Sequence, residues 1–252
     1  MLKKLLILLV AAGVLGTTSA RMAAQQPAAA AQAGARFAAL APGERIENLD
    51  ALKNELKQYH DCTCKCGCYA KDLDAQADRA VAFLRRRAAH RAPAGKAGVA
   101  QKKLALVLDI DETTLSNYAE MVKAGFAYDS KAFTAWLNTA AAPAIPGTLR
   151  IYREAQRLGV SVFFLTGRDE TVRAATERDL RHEGFDGWQQ LIMRSPAQAS
   201  STAAAYKPAE RAAIEAQGYR IILNVGDQWS DLRGKPAAEY SVKYPDPFYF
   251  IP

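Results

Sequence analysis

Apolar residues in this 252-residue chain follow two rhythms. Short, mostly unbroken aliphatic or aromatic runs occur at Leu104–Leu108, Val160–Leu165, Leu191–Met193 and Tyr219–Val225. Their length and character are those of strands buried on both faces of a parallel sheet. Elsewhere apolar positions recur every three or four residues, the spacing of an amphipathic helix. This spacing predicts helices over Ile46–Tyr59, with Leu49, Leu52 and Leu56 inward, and over Leu73–Ala89, with Ala77, Val81 and Leu84 inward. It predicts three more at Thr148–Leu158, Asp169–His182 and Pro208–Gln217, each followed closely by a glycine, the residue best suited to a helix C-terminus. Residues 115–142 read as helical, with Phe126, Tyr128, Phe133, Trp136 and Leu137 available for packing, until Pro143 and Pro146-Gly147 break them. Arg91–Gly98 reads as a linker, and Tyr244–Pro252 as an extended tail packed on the body. The alternation of strand and helix predicts a doubly wound α/β fold with a parallel sheet. A small helical subdomain completes it, built from N-terminal helices (45–92) and an insert at about 115–145 in a core spanning 103–252.

Composition supports one large domain with a small appendage. Half of the residues are hydrophobic, enough for a sizeable core and too many for global disorder. The net charge is +7, yet no Lys/Arg run with interleaved aromatics marks a nucleic-acid footprint. The densest basic group, Arg85 to Arg87 with His90 and Arg91 after it, reads as a solvated helix face. A positive surplus also draws in anionic substrates, weakly at physiological salt.

The first twenty residues have the form of a signal peptide. Lys3 and Lys4 precede an apolar stretch, Leu5–Gly16, that is short for a bilayer span, and Thr18-Ser19-Ala20 offers small residues for cleavage. No cysteine closely follows that stretch, so no lipid anchor is expected. The expectation is a periplasmic or secreted protein beginning near Arg21, with no stable membrane anchor. Loss of Lys3 and Lys4 takes the charge from +7 to +5. Residues 21–44 form a flexible lead-in to a domain at 45–252. In an exported chain the alternating cysteines Cys62, Cys64, Cys66 and Cys68 are read first as disulfides. A zinc or copper(I) cluster is the alternative, although the spacing is tighter than the usual zinc pattern.

The most informative run is Leu-Ala-Leu-Val-Leu-Asp-Ile-Asp-Glu-Thr-Thr-Leu-Ser-Asn, residues 104–117. A buried strand ends there on two carboxylates, Asp109 and Asp111, at the sheet edge where open α/β folds place ligands. Two adjacent acids repel unless a cation or shared proton relieves them. The alternative is a loop of two solvated acids capping a helix. If the sheet is parallel, Thr166, Lys207, Asp227 and Asp231 converge on the same edge. Each has a plainer reading: Thr166-Gly167 as a simple turn, Lys207 as a surface lysine, Asp231 as an N-cap or solvated acid. As a set they supply what phosphoryl transfer needs: nucleophile, metal ligands, a cation for the phosphoryl oxygens and a proton donor.

Asp109-Ile-Asp111-Glu-Thr113 resembles the first motif of the haloacid dehalogenase superfamily. Leu165-Thr166-Gly167-Arg168 resembles the second, Lys207 the third, and Gly226-Asp227-Gln-Trp-Ser-Asp231 the fourth. The fuller strings, with the ending Pro-Phe-Tyr-Phe-Ile-Pro, are similar to bacterial class C acid phosphatases and plant vegetative storage proteins over roughly residues 45–252. Several bacterial members are lipid-anchored, and the cysteine run departs from the family pattern. The resemblance implies hydrolysis of small-molecule phosphomonoesters, nucleotides among them, with Mg²⁺ as cofactor. It implies Asp109 as nucleophile, Asp111 as acid and base, Thr166 and Lys207 on the phosphoryl oxygens, and Thr113 fixing the first loop. Asp109, Asp227, Asp231 and Asp111, the last through its carbonyl, form the implied metal set. The rivals are transfer to an acceptor alcohol, or a catalytically weak storage or metal-binding protein. No nucleic-acid partner is expected, and an oligomer is left open.

Overall fold

The apolar run Lys103–Leu108 forms β1, the central strand of a five-stranded sheet. The computed structural model describes residues 46–62, 68–90 and 102–252. The expected signal segment, the expected lead-in at residues 21–44 and linker at Arg91–Gly98, and Cys64 and Cys66 lie outside these residues. The described residues from Glu47 onward form one compact unit.

In chain order, α1 (Leu49–Asp61) and α2 (Tyr69–Ala89) precede β1. Two short helices follow, α3 (Tyr118–Lys123) and α4 (Ser130–Thr139), then α5 (Pro146–Arg157) and β2 (Ser161–Asp169). Next come α6 (Arg173–His182), β3 (Gln190–Arg194), α7 (Ala203–Ala216), β4 (Tyr219–Gly226), α8 (Trp229–Leu232) and β5 (Tyr240–Lys243). The strand order is β3-β2-β1-β4-β5, and every pairing is parallel. The doubly wound α/β expectation holds, and all strand C-termini face one edge.

Side chains alternate between two apolar layers, as the two-residue period of a strand requires. Leu104, Leu106, Leu108, Val162 and Phe164 face the larger layer, where Ala77, Leu84, Ile151 and Tyr152 of α2 and α5 cover them. Ala105, Val107, Phe163 and Leu165 face the smaller one, closed by Tyr206 and Ile214 of α7. The tail packs as expected: Tyr244 and Phe248 are buried, though Phe250 is exposed.

Several elements differ from the expectation. α1 forms but buries no residue; Leu49 is 64% exposed, Leu52 is also exposed, and Leu56 alone of the three packs against the core. The insert is two helices, because Gly125 and Phe126 both take positive φ and Asp129 starts a new helix by accepting from the Ala132 N–H. Phe126, Phe133 and Trp136 half-bury against the core, whereas Tyr128 is exposed. α7 begins five residues before Pro208, capped by the Thr202 hydroxyl, so Lys207 lies within the helix rather than just ahead of it. β5 is a four-residue edge strand too short for a periodic signal, and its register comes from β4 (Leu223 opposite Tyr240, Gly226 opposite Lys243).

Candidate active site

β1 and β4 are neighbours in space but leave the sheet in opposite directions, a topological switch point. Asp109 follows β1 and Asp227 follows β4, so both carboxylates stand at this crevice, and both are buried. β2 runs straight through Thr166-Gly167-Arg168, whose alternation buries Thr166 and Arg168 and exposes Gly167.

α7 carries Lys207 into the same place. Its ammonium lies 2.5 Å from Asp109 Oδ1, 2.8 Å from Asp231 Oδ1 and 2.7 Å from the Leu165 carbonyl. Three acceptors meet three N–H donors, which is how a lysine only 3% exposed keeps its charge. Burial alone would lower its pKa; Asp109 first and Asp231 next raise it above the usual lysine value. The plain reading of a surface lysine fails here.

Asp231 sits in α8 and is buried rather than solvated. Its Oδ2 accepts from the Gln228 backbone N–H at 2.9 Å, so it also helps cap the short helix. Gly226 makes this approach feasible: a Cβ there would lie 2.5 Å from the Asp231 Cβ. The fully buried Arg211 donates to the Asp231 carbonyl at 2.6 Å and to the Pro236 carbonyl at 3.0 Å, pinning the loop beyond. Asp227 accepts from the Thr113 hydroxyl at 2.9 Å and from Gln228 Nε2 at 2.7 Å. Thr113 thus ties the first loop to the fourth motif.

One carboxylate oxygen each from Asp109, Asp227 and Asp231 lies within 4.8 Å of the others. The donors are all hard oxygens, buried, and borne on two segments, the end of β1 and the turn after β4, which suits a hard divalent cation. Electrostatics points the same way. Burial raises the Asp109 carboxyl to about 7 against the pull of Lys207, with Asp231 and Asp111 adding to the rise. Burial, then Asp109 and Asp231, puts Asp227 well above the carboxylate range. One ammonium does not balance this negative charge.

The Asp111 side chain stands apart from that group. Its Oδ1 is 2.8 Å from Arg168 Nη2, 3.0 Å from Arg168 Nε and 2.8 Å from Asn117 Nδ2. Burial would raise its pKa, but the Arg168 guanidinium holds it below the usual value, with help from Asn117. Glu112, buried with a positive φ, accepts from the Asn117 backbone N–H and from the Tyr249 hydroxyl. Burial and then the Asp111 charge lift its carboxyl to about 8. The Thr166 hydroxyl accepts from the Arg168 N–H at 3.1 Å and keeps its own hydrogen to donate.

Sequence reasoning assigned no role to Arg168, Asn117, Glu112, Gln228, Asp246 or Tyr249. Arg168 had a usable signal, since two residues beyond Thr166 on a strand is the same face. Asp246 had none: it reaches Gln228 Nε2 at 2.6 Å from the proline-rich tail, 18 positions away.

Comparison with known proteins agrees with this geometry. A family profile described as HAD superfamily, subfamily IIIB (acid phosphatase), matches residues 18–252. Acid phosphatase 1 of Solanum lycopersicum is 40% identical over 148 residues, 58% of this chain and 58% of that protein. Vegetative storage protein 1 of Arabidopsis thaliana is 30% identical over 151 residues, 58% of this chain and 55% of that protein. The matched segment thus spans less than two-thirds of these relatives' own length. The tungstate-bound class C acid phosphatase of Bacillus anthracis has the same fold, with a TM-score of 0.61 at 21% identity, over 81% of this chain and 87% of that one. With four motifs gathered on one sheet edge and a profile running through nearly its whole length, the chain belongs to the HAD superfamily, subfamily IIIB.

Proposed function

We propose that this protein is an exported, Mg²⁺-dependent acid phosphatase that hydrolyses phosphomonoesters through a phosphoaspartate on Asp109. One observation carries the reading: Lys207 bridges Asp109 and Asp231 at 2.5 and 2.8 Å, beside three clustered carboxylate oxygens. Nucleophile, fixed cation and metal ligands occupy one crevice.

Asp109, Asp227 and Asp231 would hold Mg²⁺, which offsets charge on the phosphoryl oxygens and the nucleophile when bound. Lys207 orients Asp109 and lowers repulsion toward the incoming dianion. An Asp109 oxygen forms a bond to phosphorus as the ester P–O bond breaks. Asp111 gives its proton to the departing oxygen, which leaves as the alcohol. Asp111 then takes a proton from water as that water attacks the phosphoaspartate, releasing phosphate and restoring Asp109. Thr166 has a hydroxyl hydrogen to offer the phosphoryl oxygens. The Arg168 pair keeps Asp111 charged to low pH, so its acid form accumulates only as the pH falls, in keeping with an acid phosphatase. Export rests on the Lys3-Lys4 and Leu5–Gly16 pattern. Among the described residues no helix is long and apolar enough to cross a membrane.

The storage-protein relative favours a second reading, a catalytically weak protein on the same fold. A phosphate-release screen over alkyl, aryl and nucleoside monophosphates decides between them, run after chelation and again with added Mg²⁺. The proposal expects release that depends on metal; no release from any ester by folded, Mg²⁺-loaded protein overturns it. Repeating the screen with an added alcohol separates hydrolysis from transfer.

A further inference from the structure

Asp111 is gripped from two sides, and only one grip comes from the sheet. Arg168 on β2 holds one side. The other belongs to Asn117, whose Nδ2 lies 2.8 Å from Asp111 Oδ1 and 3.1 Å from Glu112 Oε2. A carboxamide can offer either its nitrogen or its oxygen to a neighbour, so something must orient it. Trp136 does so: its indole Nε1, which can only donate, reaches Asn117 Oδ1 at 2.9 Å. Asn117 is 1% exposed, so bulk water is a poor substitute for that donor. Trp136 belongs to α4 in the helical insert, 19 residues from Asn117, and its ring packs against the main core.

We propose that Trp136 is a positioning residue for the phosphatase reaction: acting through Asn117, it sets the place of Asp111 and couples the insert to the proton-transfer step. The inference rests on the reading of Asp111 as acid and base. Without the indole N–H, the buried Asn117 oxygen loses its donor. Turning the amide to find another takes Nδ2 away from Asp111, leaving Arg168 to draw the carboxylate to its own side. A displaced acid matters most where the leaving group most needs a proton, as an alkoxide does and a nitrophenolate does not.

Trp136→Phe keeps a packed ring and removes the donor. A positioned acid supplies about 10²–10⁴ in rate, and misplacing it should cost about tenfold in kcat/KM, which reports phosphoaspartate formation, for glycerol 2-phosphate, but less than about twofold for nitrophenyl phosphate. For nitrophenyl phosphate kcat and KM should fall together, because the displaced base slows phosphoaspartate hydrolysis, and the thermal midpoint should drop by only about 2–4 °C per kcal/mol for the one unpaired acceptor. In an Asn117→Ala background the same Trp136 substitution should add nothing further, because the two residues act in series. Equal losses for both esters, no loss for the alkyl ester in a folded variant, or additive effects in the double variant would each overturn the proposal. If the phenylalanine variant does not fold, benzothienylalanine at position 136, which replaces the N–H with sulfur at nearly constant shape, gives the same readout. Failure of the underlying reading looks different: wild-type protein hydrolyses neither ester, or Asp111→Ala leaves the ratio of the two rates unchanged.

Discussion

Lys207 shows at the level of one residue how this site reconciles burial with charge. A buried ammonium is tolerable only when every hydrogen has an acceptor, and Asp109, Asp231 and the Leu165 carbonyl supply them. The proposed nucleophile is therefore also part of what holds the lysine. Asp109→Asn keeps the side-chain shape but is a far poorer nucleophile. It should lower kcat by about a thousandfold or more with the far-ultraviolet circular dichroism unchanged. Near wild-type phosphate release by such a variant would remove Asp109 from the mechanism. Arg168 allows a prediction with a definite sign. Its guanidinium holds Asp111 below the ordinary carboxylate range. Removing a neighbouring cation raises an acid's pKa, so the protonated acid persists to higher pH. In Arg168→Gln the descending limb of log kcat against pH, measured with an alkyl ester, should move to higher pH; a shift to lower pH would contradict the pairing.

At the scale of elements, packing between α2 and α5 decides how well the larger face of the sheet is covered. α5 enters through Pro146, and Gly147 in its first turn lies directly against α2; a Cβ at Gly147 would meet the Ala77 Cβ at 2.7 Å. Both partners are already minimal, so the helices must separate to admit a methyl. Gly147→Ala should destabilise the fold by about 1–3 kcal/mol, visible as a lower urea midpoint at constant m-value. An unchanged midpoint would mean that this contact is softer than its geometry. By contrast α1, which buries no residue, contributes little to the core.

The whole molecule concentrates acid at one sheet edge while carrying a net positive charge. Buried carboxylates cost stability until a cation relieves them, so the fold and the metal should be linked. After chelation, added Mg²⁺ should raise the thermal midpoint, with a gain of about 2.7 kcal/mol at a hundred times the dissociation constant. Activity should return over the same concentration range, whereas Asp227→Asn should flatten the thermal response. A metal-independent midpoint alongside full activity in chelator would remove the cation from the reading. The thermal measurement stands apart from turnover, so it tests the site even if the right substrate is missing from the panel.

The chain itself determined β1, β2 and β4, because strands buried on both faces must be apolar along their whole length. It also determined that Asp109, Thr166 and Asp227 gather at one edge, since parallel strands present all their C-termini together, whereas Lys207 and Asp231 reach that edge from helices. The break at Gly125 and Phe126, the four residues of β5 and the exposure of α1 escaped the pattern. They depend on what each segment packs against, and local periodicity carries no record of that. The same holds inside the site. Asp109 and Asp111 look equivalent as two acids one residue apart, yet the tertiary structure gives the first to Lys207 and the second to Arg168 and Asn117. Partners 98 and 57 positions away make that distinction. Such partners meet only through the path of the folded chain, as Trp136 meets Asn117, and the division of labour between the two carboxylates is therefore a property of the fold.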